Sequence, residues 1–165
     1  MSEVYLGNPN LKKANTEIEF TEEQIIEFLK CKEDPVYFAN NYIKIVSLDE
    51  GLTQFHPYDF QEKLIHNFHE NRFNICKMPR QTGKSTTVVS YLLHYAVFND
   101  SVNIGILANK AATARELLSR LQTAYENLPK WMQQGIISWN KGSMELENGS
   151  KILAASTSAS AVRGM

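Results

Sequence analysis

The run Met78-Pro-Arg-Gln-Thr-Gly-Lys-Ser85 puts a lysine and a hydroxyl directly behind a glycine. Its spacing is that of the phosphate-binding pattern G-x-x-x-x-G-K-[ST], except that Met78 stands where the first glycine would be. The chemistry of such a loop is electrostatic. Backbone amides at a helix N-terminus face an anion, and the helix dipole favours negative charge there. Lys84 would reach the β- and γ-phosphates as a mobile cation, and the Ser85 hydroxyl would ligate Mg²⁺. Arg80, Gln81, Thr82, Gly83 and Thr86 complete the set expected around the phosphates, with Arg80 readable as an added phosphate clamp. The competing reading is a basic surface turn. Context decides for the phosphate loop, because a strand is predicted just before it and a helix just after it.

Several elements must hold that loop in place. Residues 73–78 alternate apolar and polar side chains and are predicted as a strand. A long apolar helix is predicted from Lys84 to about Phe98, and a second strand over 102–108. Thr113-Ala-Arg-Glu116 has capping-box spacing, and Ala114, Leu117, Leu118, Leu121 and Tyr125 follow on one helical face. Strand, helix, strand, helix predicts an α/β fold with a parallel central sheet. From Ile136 the period returns to two, punctuated by Asn140-Lys-Gly142 and the hairpin signal Asn148-Gly149. Upstream, the first ten residues read as an extended arm. Thr21-Glu-Glu-Gln24 starts a helix to about residue 31, Asp34-Pro35 starts a short second one, and Gly51 marks a loop. Pro57 opens a third helix, on which the spacing of Phe60, Leu64 and Phe68 makes Phe60 a core residue. The expected division is an arm and helical subdomain over 1–56 and a nucleotide-binding core over 57–165.

Composition narrows the class. At 165 residues, 43% hydrophobic and 21% charged, the chain suits a globular domain. Its best apolar stretch, Val88 to Phe98, is about half the length of a membrane span. No signal-peptide pattern opens the sequence, and Cys31 and Cys76 make no disulfide scaffold. The net charge of −1 conceals a polarity: residues 1–70 carry 13 acids and 6 bases, residues 71–165 carry 5 acids and 11 bases. A polyanion is therefore expected on the second half.

The loop with Arg80-Gln81 before Thr-Gly-Lys resembles the deviant Walker A of the large terminase subunit of T-even-like tailed bacteriophages. Other words resemble the same family: Asp34-Pro-Val-Tyr-Phe-Ala39, Tyr58-Asp-Phe-Gln61, Gly105-Ile-Leu-Ala-Asn-Lys110, Trp139-Asn-Lys-Gly-Ser143, Glu147-Asn-Gly-Ser150 and Ala161-Val-Arg-Gly164. The resemblance implies a three-layer P-loop ATPase of the ASCE class, with ATP and Mg²⁺ as cofactors. It implies that Gln61 reads adenine, offers Phe60 as a surface for the base against its core reading, and makes Arg80 or Arg163 an arginine finger, with no choice between them. It also implies the partners: double-stranded DNA, the portal protein, the small terminase subunit and further copies in a ring, in the host cell cytoplasm and away from membranes.

Two absences shape the expectation. An ASCE ATPase needs an apolar strand ending in Asp-Glu, and no such strand occurs in these 165 residues. Met144-Glu-Leu-Glu147 is no convincing substitute, and no nuclease carboxylate cluster is encoded, so nucleotide binding is expected without hydrolysis or DNA cutting. His66 and His69 have metal spacing but no third-ligand pattern and read as a solvated helix face. Lys110, Arg115, Arg120, Lys130, Lys141 and Lys151 read as soluble surface. Other readings are a superfamily 2 helicase-like ATPase, or a non-catalytic nucleotide-binding or oligomerisation module.

Overall fold

Side-chain capping sets the first helices. The Thr21 hydroxyl accepts from the Gln24 amide at 3.2 Å, and Gln24 Oε1 accepts from the Thr21 amide at 3.1 Å. This closed box starts α1 (Glu22–Glu33). Asp34 Oδ1 takes the amides of Val36 and Tyr37, and with Pro35 in the first turn it starts α2 (Pro35–Tyr42). The computed structural model of the chain describes residues 3–47 and 49–157. The Ala161–Gly164 word and Arg163 lie outside them.

Where the sequence suggested only a loop, β1 (Lys44–Ser47) and β2 (Gly51–Gln54) form an antiparallel hairpin. Each strand has only four residues, too few for alternation to register as a pattern. Gln54 ties the hairpin to the end of α2, donating to Asn40 O at 3.0 Å and Ile43 O at 2.9 Å. The third helix, α3 (Asp59–Glu70), follows.

The remaining elements are α4 (Lys84–Phe98), β3 (Asn103–Ala108), α5 (Ala111–Glu126), β4 (Ile136–Trp139), β5 (Ser143–Leu146) and β6 (Lys151–Ser156). The four strands lie in the order β3-β6-β5-β4. Only β3 and β6 are parallel; β5 runs antiparallel to both β6 and β4. The sheet is therefore mixed, which corrects the expectation of a parallel one. The reason is local: the turns at Asn140–Gly142 and Asn148–Gly149 are tight hairpin connections, and these can join only antiparallel neighbours. Helix α5 also begins earlier than its expected capping box. Lys110 is its N-cap, without a side-chain bond, and the Thr113 amide already donates to Lys110 O.

Residues 73–78 form no strand. Phe73 and Ile75 are 83% and 100% exposed, and the Arg72 guanidinium sits 5.1 Å from the Phe73 ring centre. Alternation gives such a segment the propensity for a strand, but a ladder needs a neighbour, and no described strand pairs with it.

One face of the sheet is buried. Ile104, Ile106, Ile152, Ala154, Met144 and Leu146 are buried in the core with α5, which packs on β3, β6 and α4. The opposite positions, Gly105, Leu107, Leu153 and Ala155, stay partly or fully exposed. Among the described residues the arrangement is thus helices over one sheet face, and the expected third layer is not seen. The core is continuous: Leu11, Phe38 and Ile43 join Leu93, Leu118, Leu121 and Ile152 in one cluster across the 56/57 boundary. Burying each such side chain contributes about 1.5–3 kcal/mol.

Residues 11–15 are pinned rather than loose. Leu11 is buried, and Gln133 Oε1 accepts from the Lys12 amide at 2.9 Å. Glu147 pairs with Lys12 Nζ at 3.1 Å and takes the amides of Gly135 at 2.7 Å and Asn15 at 2.9 Å. Its neighbours finish a helix. Asn148 Nδ2 donates to Ala96 O and Asn99 O, and the Ser150 hydroxyl donates to Asn99 O.

Candidate phosphate-binding site

The loop is shaped by two left-handed residues, Gln81 (φ 63°) and Gly83 (φ 73°). Gly83 is the N-cap of α4 and offers no side chain to its exposed amides. The Thr87 amide is the first to bond back, to Gly83 O at 3.0 Å. The amides of Lys84, Ser85 and Thr86 therefore have no partner within the helix and remain free to receive an anion. Around this turn the loop is self-braced. The Thr82 hydroxyl donates to Pro79 O at 3.0 Å, and Lys84 Nζ donates to Met78 O at 2.6 Å and Pro79 O at 2.9 Å. The ammonium thus lies over the loop on carbonyl contacts that an anion could replace.

A cleft of about 630 Å³ opens beside the loop. Gln81, Thr82, Gly83 and Thr86 form one wall, and Tyr58, Phe60 and Gln61 form another. The hairpin closes it with Thr53 and Gln54. These last two were invisible to sequence reasoning because the hairpin itself was not legible.

Gln61 links the two walls. Its Oε1 accepts from the Tyr58 amide at 2.9 Å, capping α3, while Nε2 donates to Thr82 O at 3.3 Å. It is only 3% exposed, and a Cβ on Gly83 would run into its Nε2. Phe60 is 45% exposed and stacks on Tyr58, with ring centres 5.8 Å apart at 14°. Its expected place in the core is therefore wrong. Position 60 falls on the outer side of α3, whose buried positions are Gln61, Leu64 and Ile65.

The structure thus brings Gln61, Gln81, Thr82, Gly83 and Thr86 around one cleft. Lys84 lies over the loop, Ser85 is exposed in the first turn of α4, and Arg80 is exposed at the turn before it. The two acids weighed as substitutes for a catalytic carboxylate are engaged elsewhere: Glu145 pairs with Lys151 at 3.0 Å, and Glu147 anchors the N-terminal arm. Ser85 and the free amides suit a magnesium-bound phosphate chain: an oxygen ligand for a hard cation, and N–H donors for the anion.

A family model described as the N-terminal part of the large terminase subunit, T4-like virus type, matches residues 75–165. The chain belongs to that family. The matched span includes the whole phosphate loop and the turns at Asn140 and Asn148. The segment Tyr58–Gln61 precedes the matched span and completes the cleft from the other side.

His66 is exposed on α3, and His69 stacks edge-on to Tyr91 and His94. Several described basic residues of the second half are engaged or buried within the chain. Arg120 pairs with Glu116 at 2.6 Å, Lys151 with Glu145, and Lys130 Nζ is buried, where desolvation lowers its pKa.

Proposed function

We propose that this chain is the ATP-binding part of a viral DNA-packaging motor and holds Mg·ATP at loop 79–86. Membership in the large terminase subunits supports a packaging-motor role in general. The observation that carries the nucleotide reading is the free N-terminus of α4, set behind a left-handed loop and beside a cleft of about 630 Å³. Lys84 exchanges its carbonyl contacts for the β- and γ-phosphates, and Ser85 completes the magnesium shell. In this reading the complete subunit couples hydrolysis to movement of double-stranded DNA into the capsid and also cuts DNA. It works in the host cytoplasm as a ring on the portal protein and with the small terminase subunit. Arg80 is the arginine of the loop nearest the phosphates and takes the clamp role, with Arg163 as the other candidate finger.

Binding and chemistry separate. The described carboxylates of β5 and its turn are engaged elsewhere, so turnover by these residues alone stays at background while binding persists. The test is a titration of a fluorescent ATP analogue with phosphate release followed on the same sample. Saturable binding that weakens tenfold or more in Lys84→Ala is expected, from about 1.4 kcal/mol or more of lost phosphate contact. Lysine-dependent steady turnover would overturn the division between binding and chemistry, and unaltered binding would overturn the site.

A further inference from the structure

Helix α1 is apolar on two opposite sides, and the fold uses one of them. On the inner side Cys31 is fully buried, and Phe28 meets Phe98 edge-on with ring centres 4.9 Å apart. Glu27 anchors the same helix, accepting from the hydroxyls of Tyr37 at 2.8 Å and Tyr42 at 2.9 Å. On the outer side Ile25, Ile26 and Leu29 are 49%, 55% and 52% exposed. Their spacing places them on one helical face, with Glu22 and Glu33 at its two ends. A single exposed apolar residue needs no explanation, but three together beside an exposed Phe20 form a patch. Phe20, Ile25, Phe28 and Leu29 line an open groove of about 240 Å³ there. Phe98 is the last residue of α4, so this platform stands at the opposite end of that helix from the phosphate loop.

Charge around the patch selects what can cover it. Residues 17–33 carry six acids and two bases, and Glu17, Glu19, Glu22, Glu23 and Glu33 are exposed. Glu22 and Glu23, in the first turn, favour the helix itself through its dipole. Glu33 in the last turn opposes the dipole, and Glu17 and Glu19 lie before the helix, so helix stability accounts for none of these three. We propose that the outer face of α1 is a docking site for an amphipathic helix of a partner protein, apolar at i, i+3, i+4 and i+7 and flanked by lysine or arginine. Such a helix lays its apolar side in the groove and sets its cations against the acidic rim. A second copy of α1 fits worse. Two such stretches, each with a net charge of −4, repel one another, and an antiparallel pair sets Glu22 against Glu33.

The experiment titrates the chain against a fluorescein-labelled helical peptide of about four turns, with leucine at i, i+3, i+4 and i+7 and lysine on the flanks. The same peptide with glutamate for lysine is the control. The variants are Ile25→Ser/Leu29→Ser and the charge reversal Glu19→Lys/Glu33→Lys, with thermal melts to check the fold. All four side chains are exposed, and the charge reversal still decides the matter should the serine pair unfold the chain. Anisotropy is expected to show saturable binding of the lysine peptide, about tenfold or more tighter than the glutamate peptide and weakening with salt. Ile25→Ser/Leu29→Ser should weaken it roughly tenfold or more, and the charge reversal should exchange the order of the two peptides. A lysine peptide that fails to saturate, or whose affinity the serine pair leaves unchanged, would overturn the docking face. An order of peptides that survives the charge reversal would overturn the basic partner. So would a parent chain that sediments as a dimer and becomes a monomer in Ile25→Ser/Leu29→Ser, because a second copy would then be the occupant.

Discussion

Gly83 and Gln61 depend on each other for space. Gly83 holds φ 73°, and a Cβ there meets the Gln61 amide, whose two hydrogen bonds join α3 to the loop. Gly83→Ala should therefore cost about 1–3 kcal/mol through backbone strain and collision together. Gln61→Ala should cost about 1–3 kcal/mol by leaving the Thr82 carbonyl and the Tyr58 amide short of partners. The double variant should lose less than the sum, because removing the glutamine removes the collision. Urea midpoints of the two single variants and the double variant check this, and strict additivity would show that the two side chains are not coupled. The loop's residues were legible because glycine, lysine and serine at that spacing carry their own chemistry. Gln61's position was not: a buried amide on an amphipathic helix leaves no signal in composition or period.

At the scale of elements, turn and cap residues explain most of what the sequence made visible. Asn140 Oδ1 takes the amides of Gly142 and Ser143, and Asn148 finishes α4 through Ala96 O and Asn99 O. Asn148→Ala should lower stability by roughly 1–2 kcal/mol, since two C-terminal carbonyls lose a donor. Tripolyphosphate affinity should barely change, because the cap lies at the far end of α4 from the loop. A thermal melt and a binding titration on the same variant separate the two effects. Helices with side-chain caps, such as α1 and α2, were legible to within a residue or two. Helix α5, whose N-cap Lys110 makes no side-chain bond, was read with its start misplaced. Residues 73–78 show the limit most clearly. Their alternation is genuine, but pairing depends on a neighbouring strand, which is a property of the whole sheet and not of the segment. The hairpin β1–β2 failed the other way: it pairs well but is too short to show a period.

Across the whole molecule, acid should act through two groups, buried His94 and partly buried Glu147. His94 is 1% exposed among Phe38, Tyr91 and Phe98, and its Nε2 lies 2.8 Å from Cys31 O. Burial pushes its pKa down from 6.5 to about 4. An unfolded chain therefore takes up this proton before the native one does. Stability from this group is complete above about pH 6.5 and falls as the pH drops towards 4, by about 3 kcal/mol in all. Glu147 adds a later loss. Burial alone would raise its pKa, but the amides of Gly135 and Asn15 and the Lys12 ammonium outweigh that and hold it below the ordinary value. Its contribution is therefore lost only at more acid pH. Urea midpoints should fall between pH 7 and 5 in the parent chain and fall less in His94→Gln, which keeps a donor for Cys31 O; an equal fall would remove His94 from the account. The core that encloses His94 also supports α4, so pH and site integrity are linked through one helix. The most direct test of the central claim is amide chemical-shift mapping of the ¹⁵N-labelled chain during titration with Mg·ATP. The account predicts saturable shifts concentrated at residues 81–86 and 58–61, and their loss in Lys84→Ala. Saturation without change at the amides of Lys84, Ser85 and Thr86, or shifts centred on β5 and its turns, would contradict it.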